Sequence, residues 1–283
     1  MANNKVEIEN NLNLIRSLIT KHKRHDHIFA GVGMFIIISL TITLLVLFLD
    51  LVFDGYPRFN LDFLTNFPSR RATAAGILSA WVGSSLVLIV TFFAAVPLGI
   101  AAGVYLEEYA KKNWFSDLIE INVTNLAGVP SIIYGLLALG LFVYGFGLGQ
   151  TILTAGLTLA LLMLPIVIVA TREAIRAIPI HIREAAYAVG ATKWQVSLHH
   201  VIQYSYGGIL TGVIIGMARA IGETAPVITI GALTFIAFLP PSPVGLEPPF
   251  INFEWLEAGF TVLPIQMFNW ISRPQMAFHV NAA

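Results

Sequence analysis

Five long apolar runs, separated by short polar stretches, set the pattern of this chain, and each approaches the roughly 20 residues needed to cross a hydrocarbon core about 30 Å thick. They predict membrane helices from about Ile28 to Leu49, Ile77 to Leu106, Leu126 to Phe146, Ile152 to Ala170 and Gly207 to Phe238. Pro97, Gly99 and Gly103 lie inside the second run. Gly128, Val129 and Pro130 open the third, and Pro165 sits near the end of the fourth. Prolines are tolerated in spans when packed neighbours re-satisfy the freed backbone groups, so their number suits a bundle lining a pathway. The first run begins too far from the N-terminus for a secretory signal and ends without a small-residue cleavage pattern, so it is a retained span.

Two polar stretches stand out. Thr171 to Gln203 is too polar to cross a membrane and is patterned as two short helices. Glu184, Ala185, Ala186 and Ala188 favour the first, Gly190 is placed to end it in a left-handed cap, and Ala191 to His200 can form the second. A helix with small side chains on one face and Arg183 and Glu184 beside it can lie closely in another protein's groove. An ordinary solvated loop with helical turns fits the same residues. The segment Pro240 to Pro249 holds five prolines in ten residues, which excludes a helix or central strand and predicts a stiff loop.

Composition agrees with the membrane reading: 57% of the 283 residues are hydrophobic and 11% charged, against about a quarter charged in soluble domains. Net charge is zero, so no nucleic acid or other strongly charged partner is implied, and the absence of cysteine excludes disulfides and thiolate metal sites. The distribution of charge orients the chain. With the N-terminus inside, eleven of the sixteen Lys and Arg residues fall on the cytoplasmic side, Arg58, Arg70, Arg71 and Arg273 fall outside, and Arg219 lies within a span.

The fifth run carries its own chemistry. Gly208, Gly212, Gly216 and Ala220 recur every four residues and line one helix face, permitting close backbone approach. Arg219 and Glu223, also four apart, flank that face. Ionisable groups in a span usually pair or serve a pathway. Two readings stay open: a structural ion pair, or part of a gate for an anion, since guanidinium recognises oxyanions through paired donors. Lesser candidates are His22, His25 and His27 (metal, or an anchor beside Lys21, Lys23 and Arg24), His199 and His200 at the end of the polar loop, and Glu107 and Glu108 (partner contact, capping or solvation). Trp81, Trp114 and Trp270 sit at predicted boundaries, as interfacial aromatics do. No catalytic constellation stands out, and no GxxxxGK[ST] loop that would hold nucleotide occurs.

The EAA triplet Glu184, Ala185, Ala186, followed by Gly190 and by Ile202, resembles the EAA loop of the permease subunits of ABC importers. ARAIGETAP (Ala218 to Pro226), LAGVPSIIYGL (Leu126 to Leu136), NWISRPQMAFH (Asn269 to His279) and VYLEEYA (Val104 to Ala110) resemble the phosphate-specific branch of that family. The likeness covers most of the chain from about Ala75. It implies an all-α, type I importer permease (MetI-like) domain over 75–283, with its EAA loop at 171–203, preceded at 1–70 by a leader, a first span and an outer loop. It implies a multi-pass, non-enzymatic subunit of a prokaryotic inner membrane that forms half of a phosphate pathway and binds no cofactor itself. Its partners would be a homologous permease, two ATP-hydrolysing subunits docked on Arg183, Glu184, Ala185, Ala186 and Gly190, and an extracytoplasmic phosphate-binding protein. Permeases for molybdate or sulfate share the architecture, and a proton-coupled transporter working through Glu223 is a reading from another class. The family usually has Pro where this chain has Gln203, and often at Gly207, so a flexible joint is expected there. Relatives continue into a sixth span beyond the position of Ala283, so a truncated sequence or a subunit with one helix fewer is expected.

Overall fold

The computed structural model describes residues 2–111, 113–245 and 250–283, with side chains described at Lys23 and from Asp26 onward. The chain divides into two units, one running to Pro57 and taking in Ala283, the other spanning Arg58–Ala282. The first unit thus ends inside the 1–70 region of leader, first span and outer loop. Arg58 explains this: its guanidinium donates to the carbonyls of Ala72 and Ala75 at 3.0 Å and to Asn281 Oδ1 at 3.0 Å, tying the segment before the second span to the bundle.

The first unit is one helix, α1 (Ala2–Gly55), which carries the first apolar span. In the second unit a short α2 (Leu61–Thr65) precedes α3 (Leu78–Val104), which runs on as a π-helical turn through Tyr105–Tyr109. Next come α4 (Trp114–Leu126), α5 (Ser131–Ala138) with a π-helical continuation to Gly145, and α6 (Ile152–Arg176). The polar loop holds α7 (Ile180–Ala188) and α8 (Lys193–Val196). Through the π-helical turn Ser197–Val201, α8 passes into α9 (Ile202–Gly222), so Lys193–Gly222 is one 30-residue rod. Short α10 (Ala225–Thr229), α11 (Leu263–Ile271) and α12 (Met276–Ala282) complete the unit.

Close contacts give the directions of the packed helices. Gly156 of α6 lies against Val90 of α3, Gly99 against Val167, and Gly103 against Thr171, so α3 and α6 run parallel. Gly208, Gly212 and Gly216 lie against Ala174, Ala170 and Met163, so α9 runs antiparallel to α6. This glycine seam lets the two backbones approach where any Cβ would collide with the α6 side chains. Leu86, Val87, Ile152, Leu159, Ala220 and Ile265 form one core, and Val96, Met163 and Val213 continue it along the bundle.

Two spans differ from expectation. The third is broken: α4 meets the helix Ser131–Gly145 at 104°. Pro130 has no N–H and pushes Val129 out of the helical region, which with Gly128 accounts for the break. The remaining 15 residues rise only about 22 Å, short of a full crossing. The fifth stops at Gly222 rather than Phe238, because Pro226 cannot donate to the Gly222 carbonyl. Backbone from Gly231, with φ of 93°, to Phe238 is non-helical. The fourth span, in contrast, extends past Ala170 to Arg176. The joint expected around Gln203 and Gly207 is continuous helix, since neither residue interrupts the backbone ladder as proline would.

Candidate functional site

The polar loop folds as a short helical hairpin. Gly190 has φ of 85°, the left-handed conformation that ends α7, and Thr192 with Gln195 forms a reciprocal cap that starts α8. Ala186 points inward and packs with Ile175, Ile178, Val196 and Val201. Glu184 points outward, its side chain 65% exposed and 3.3 Å from His181 Nδ1. Ala185 is exposed and lines an open groove with His181, Val189, His200 and Tyr204. Of the expected small-residue face, Ala186 is turned into the core and Ala185 stays exposed, bordered by a carboxylate and two imidazoles.

Arg183 does not share that face. Its side chain, 16% exposed, turns back into the bundle. There Nε and Nη2 both donate to Glu108 Oε1, at 3.0 and 2.9 Å, while Nη1 and Nη2 donate to the carbonyls of Ile178 and Ile175. Glu108 is only 7% exposed, and the pair satisfies the carbonyls at the end of α6 while holding the final turn of α3. A guanidinium with a buried carboxylate within reach pairs there rather than stay in solvent.

Beside it lies a second cluster. Arg172 Nη2 is 2.7 Å from Glu120 Oε2 and its Nε is 3.4 Å from Glu107, close enough for charge attraction though not aligned as a hydrogen bond. Arg176 bonds both oxygens of Glu107 at 3.0 Å and Glu120 at 3.2 Å. Arg172 is 7% exposed and Arg176 43%. Neither Glu107 nor Glu108 is a merely solvated or capping residue: both are consumed within the bundle. Sequence reasoning used Arg172 and Arg176 only to orient the chain. The available signal was their four-residue spacing at one helix end, with paired carboxylates at the end of another span.

At the other end of the rod, Arg219 Nε donates to Glu223 Oε1 at 3.3 Å. Arg219 is 42% exposed and Glu223 18%, and Glu223 borders a small cavity with Ser84, Leu159, Ala220 and Val227. Among the described residues, the terminal nitrogens of Arg219 have no hydrogen-bond partner. The pair sits where α9 breaks off, since Glu223 is extended with ψ of 118°. A half-exposed guanidinium held at one nitrogen offers a fork of donors to an oxyanion. Among the described residues no group of three or more His, Asp or Glu side chains could hold a metal ion, and the side chains of His22 and His25 lie outside those described.

This chain is similar in sequence to known proteins. The family model described as binding-protein-dependent transport system inner membrane component matches residues 95–244. A probable ABC transporter permease protein, YqgI of Bacillus subtilis, is 32% identical over 226 residues, 79% of this chain and 72% of the relative. The phosphate transport system permease protein PstA of Mycobacterium leprae is 35% identical over 72% of this chain, and the chain spans only 62% of that relative's length. The PstA of Haemophilus influenzae is 30% identical over 84% of both chains.

Proposed function

From the premise that this chain belongs to the family of binding-protein-dependent transport system inner membrane components, a multi-pass permease subunit that works with other subunits, we propose that it forms half of the pathway of an ATP-driven importer of inorganic phosphate. The observation that carries the substrate is Arg219: a guanidinium at the broken end of a membrane helix, fixed through one nitrogen by Glu223 and open at the others. Likeness to proteins named as phosphate transport permeases supports the same choice. Phosphate offers the pair of oxygens that such a fork binds, while Glu223 stays on Nε and holds the guanidinium in place.

In this reading the N-terminus and the α7–α8 hairpin are cytoplasmic, in keeping with the excess of Lys and Arg on that side. ATP is bound and hydrolysed by two partner subunits, one of them seated on Glu184, Ala185 and Gly190. A homologous permease supplies the other half of the pathway, and an extracytoplasmic binding protein delivers phosphate. Arg219→Gln tests the assignment in the assembled complex. Labelled phosphate uptake is expected to fall below about a tenth of the unmodified rate while the subunits still co-purify. Normal uptake by the variant would reduce Arg219 and Glu223 to a structural pair. Stronger competition by sulfate or molybdate than by phosphate would change the substrate, and uptake without ATP would point to a proton-coupled carrier.

A further inference from the structure

Among the described residues, Arg183 is the one side chain of α7 that makes hydrogen bonds outside its own hairpin. Arg183 contributes four hydrogen bonds, two to Glu108 at the end of α3 and two to carbonyls at the end of α6. Both members of the ion pair are largely buried, so the bond is weakly screened and costly to open. The end of α3 is in turn held to α6 and α4 by Glu107, Glu120, Arg172 and Arg176. On the same inward side of α7, three residues on from Arg183, Ala186 packs into a small core with Val196 and Val201 at the base of the rod. The exposed face of α7, with Glu184 and Ala185, lies away from all of this.

We infer that Arg183 and Glu108 form a strut that makes α7 move as one piece with α3 and α6, so that a push on the exposed face of α7 tilts the bundle instead of swinging the hairpin on its loop. Arg183 is a positioning residue here, touching neither an ATPase partner nor the transported anion. The inference rests on the docking role given to the α7 face under the proposed function. It moves the coupling path away from a joint near Gln203 and Gly207, where the helix is continuous.

The test uses the whole complex and the fact that this chain contains no cysteine. Arg183→Cys together with Glu108→Cys removes both charges at once, so no unpaired buried ion remains to unfold the protein. Two quantities are read in membranes with the binding protein present: the stimulation of ATP hydrolysis by that protein, which does not depend on the identity of the substrate, and labelled phosphate uptake. The double variant is expected to assemble and hydrolyse ATP at its basal rate while stimulation falls about tenfold, the effect of losing a coupling of this class. Joining the two thiols with a short bifunctional reagent is expected to restore stimulation; single-cysteine variants treated alike should gain nothing. Full stimulation in the unlinked variant overturns the strut, and so does failure of a verified link to restore it. An unmodified complex whose hydrolysis responds to the binding protein but which imports no phosphate overturns the substrate assignment alone.

Discussion

Arg172 and Arg176 share the same two carboxylates, yet burial makes them unequal, and their removal one at a time measures the difference. Arg172→Met takes away the 2.7 Å contact to Glu120 and the charge beside Glu107 from a site where the arginine is 7% exposed. Removing one partner of a buried pair costs about 3–5 kcal/mol, but Glu120 is itself 39% exposed and Arg176 still reaches both acids, so about 2 kcal/mol applies. Arg176→Met removes a side chain that is 43% exposed, where water already screens the charge, and should cost below about 1 kcal/mol. For a unit of this size each kcal/mol shifts the unfolding midpoint by about 2–4 °C. Thermal unfolding in detergent, followed by loss of the monodisperse peak, should therefore place Arg172→Met about 4–8 °C below the unmodified protein, and Arg176→Met nearer to it, within about 4 °C. Adding Glu107→Gln and Glu120→Gln to Arg172→Met should recover much of the loss, because two carboxylates then no longer share one arginine. Equal shifts for the two arginines, or no recovery in the triple variant, would refute the burial argument.

The glycine seam gives a second contrast: Gly212→Leu drives a side chain into Ala170 and should cost about 1–3 kcal/mol, seen as a lower unfolding midpoint. Gly207→Leu meets open space and should change that midpoint by less than the equivalent of about 0.5 kcal/mol. At Gly190, φ of 85° makes Gly190→Val cost about 1–2 kcal/mol, while Gly190→Asn should be tolerated; protease cleavage between α7 and α8 should rise only in the first. Glu184→Lys reverses an exposed charge on the α7 face without touching the core, so phosphate uptake should drop while the protein's own unfolding midpoint stays within about 1 °C.

The apolar runs made most of the helices legible because membrane crossing demands length and little else. Sequence placed α6, the body of α3, the hairpin and its Gly190 cap close to where they lie, since each follows from local chemistry. It failed where depth and neighbours decide. An apolar stretch such as Val227 to Phe238 reads as span whether or not its backbone is helical, and Pro226 stands out in the sequence only as the end of a motif. The break at Pro130 was visible as residues but not as a 104° turn, which depends on how α4 packs. The four-residue stripe ending in Gly216 and Ala220 predicted a close-packed face but could not name Ala170, Ala174 and Met163 as its partners. Arg183 was grouped with Glu184 because they are adjacent in sequence, although neighbours on a helix point about 100° apart; what turned Arg183 inward was Glu108, 75 residues away.

The unbroken rod from Lys193 to Gly222 has a mechanical consequence. Its 30 residues make it about 45 Å long, some 15 Å more than the hydrocarbon core. Seated along α6 by the glycine seam, it tilts together with that helix, with Val196 and Val201 near one tip and Arg219 near the other. A tilt of about 10° about its centre, modest for rigid-body switching, carries each tip about 4 Å in opposite directions. That is more than the length of a hydrogen bond. A displacement at the Lys193 tip therefore separates or rejoins Arg219 and whatever it holds, with no unwinding anywhere between.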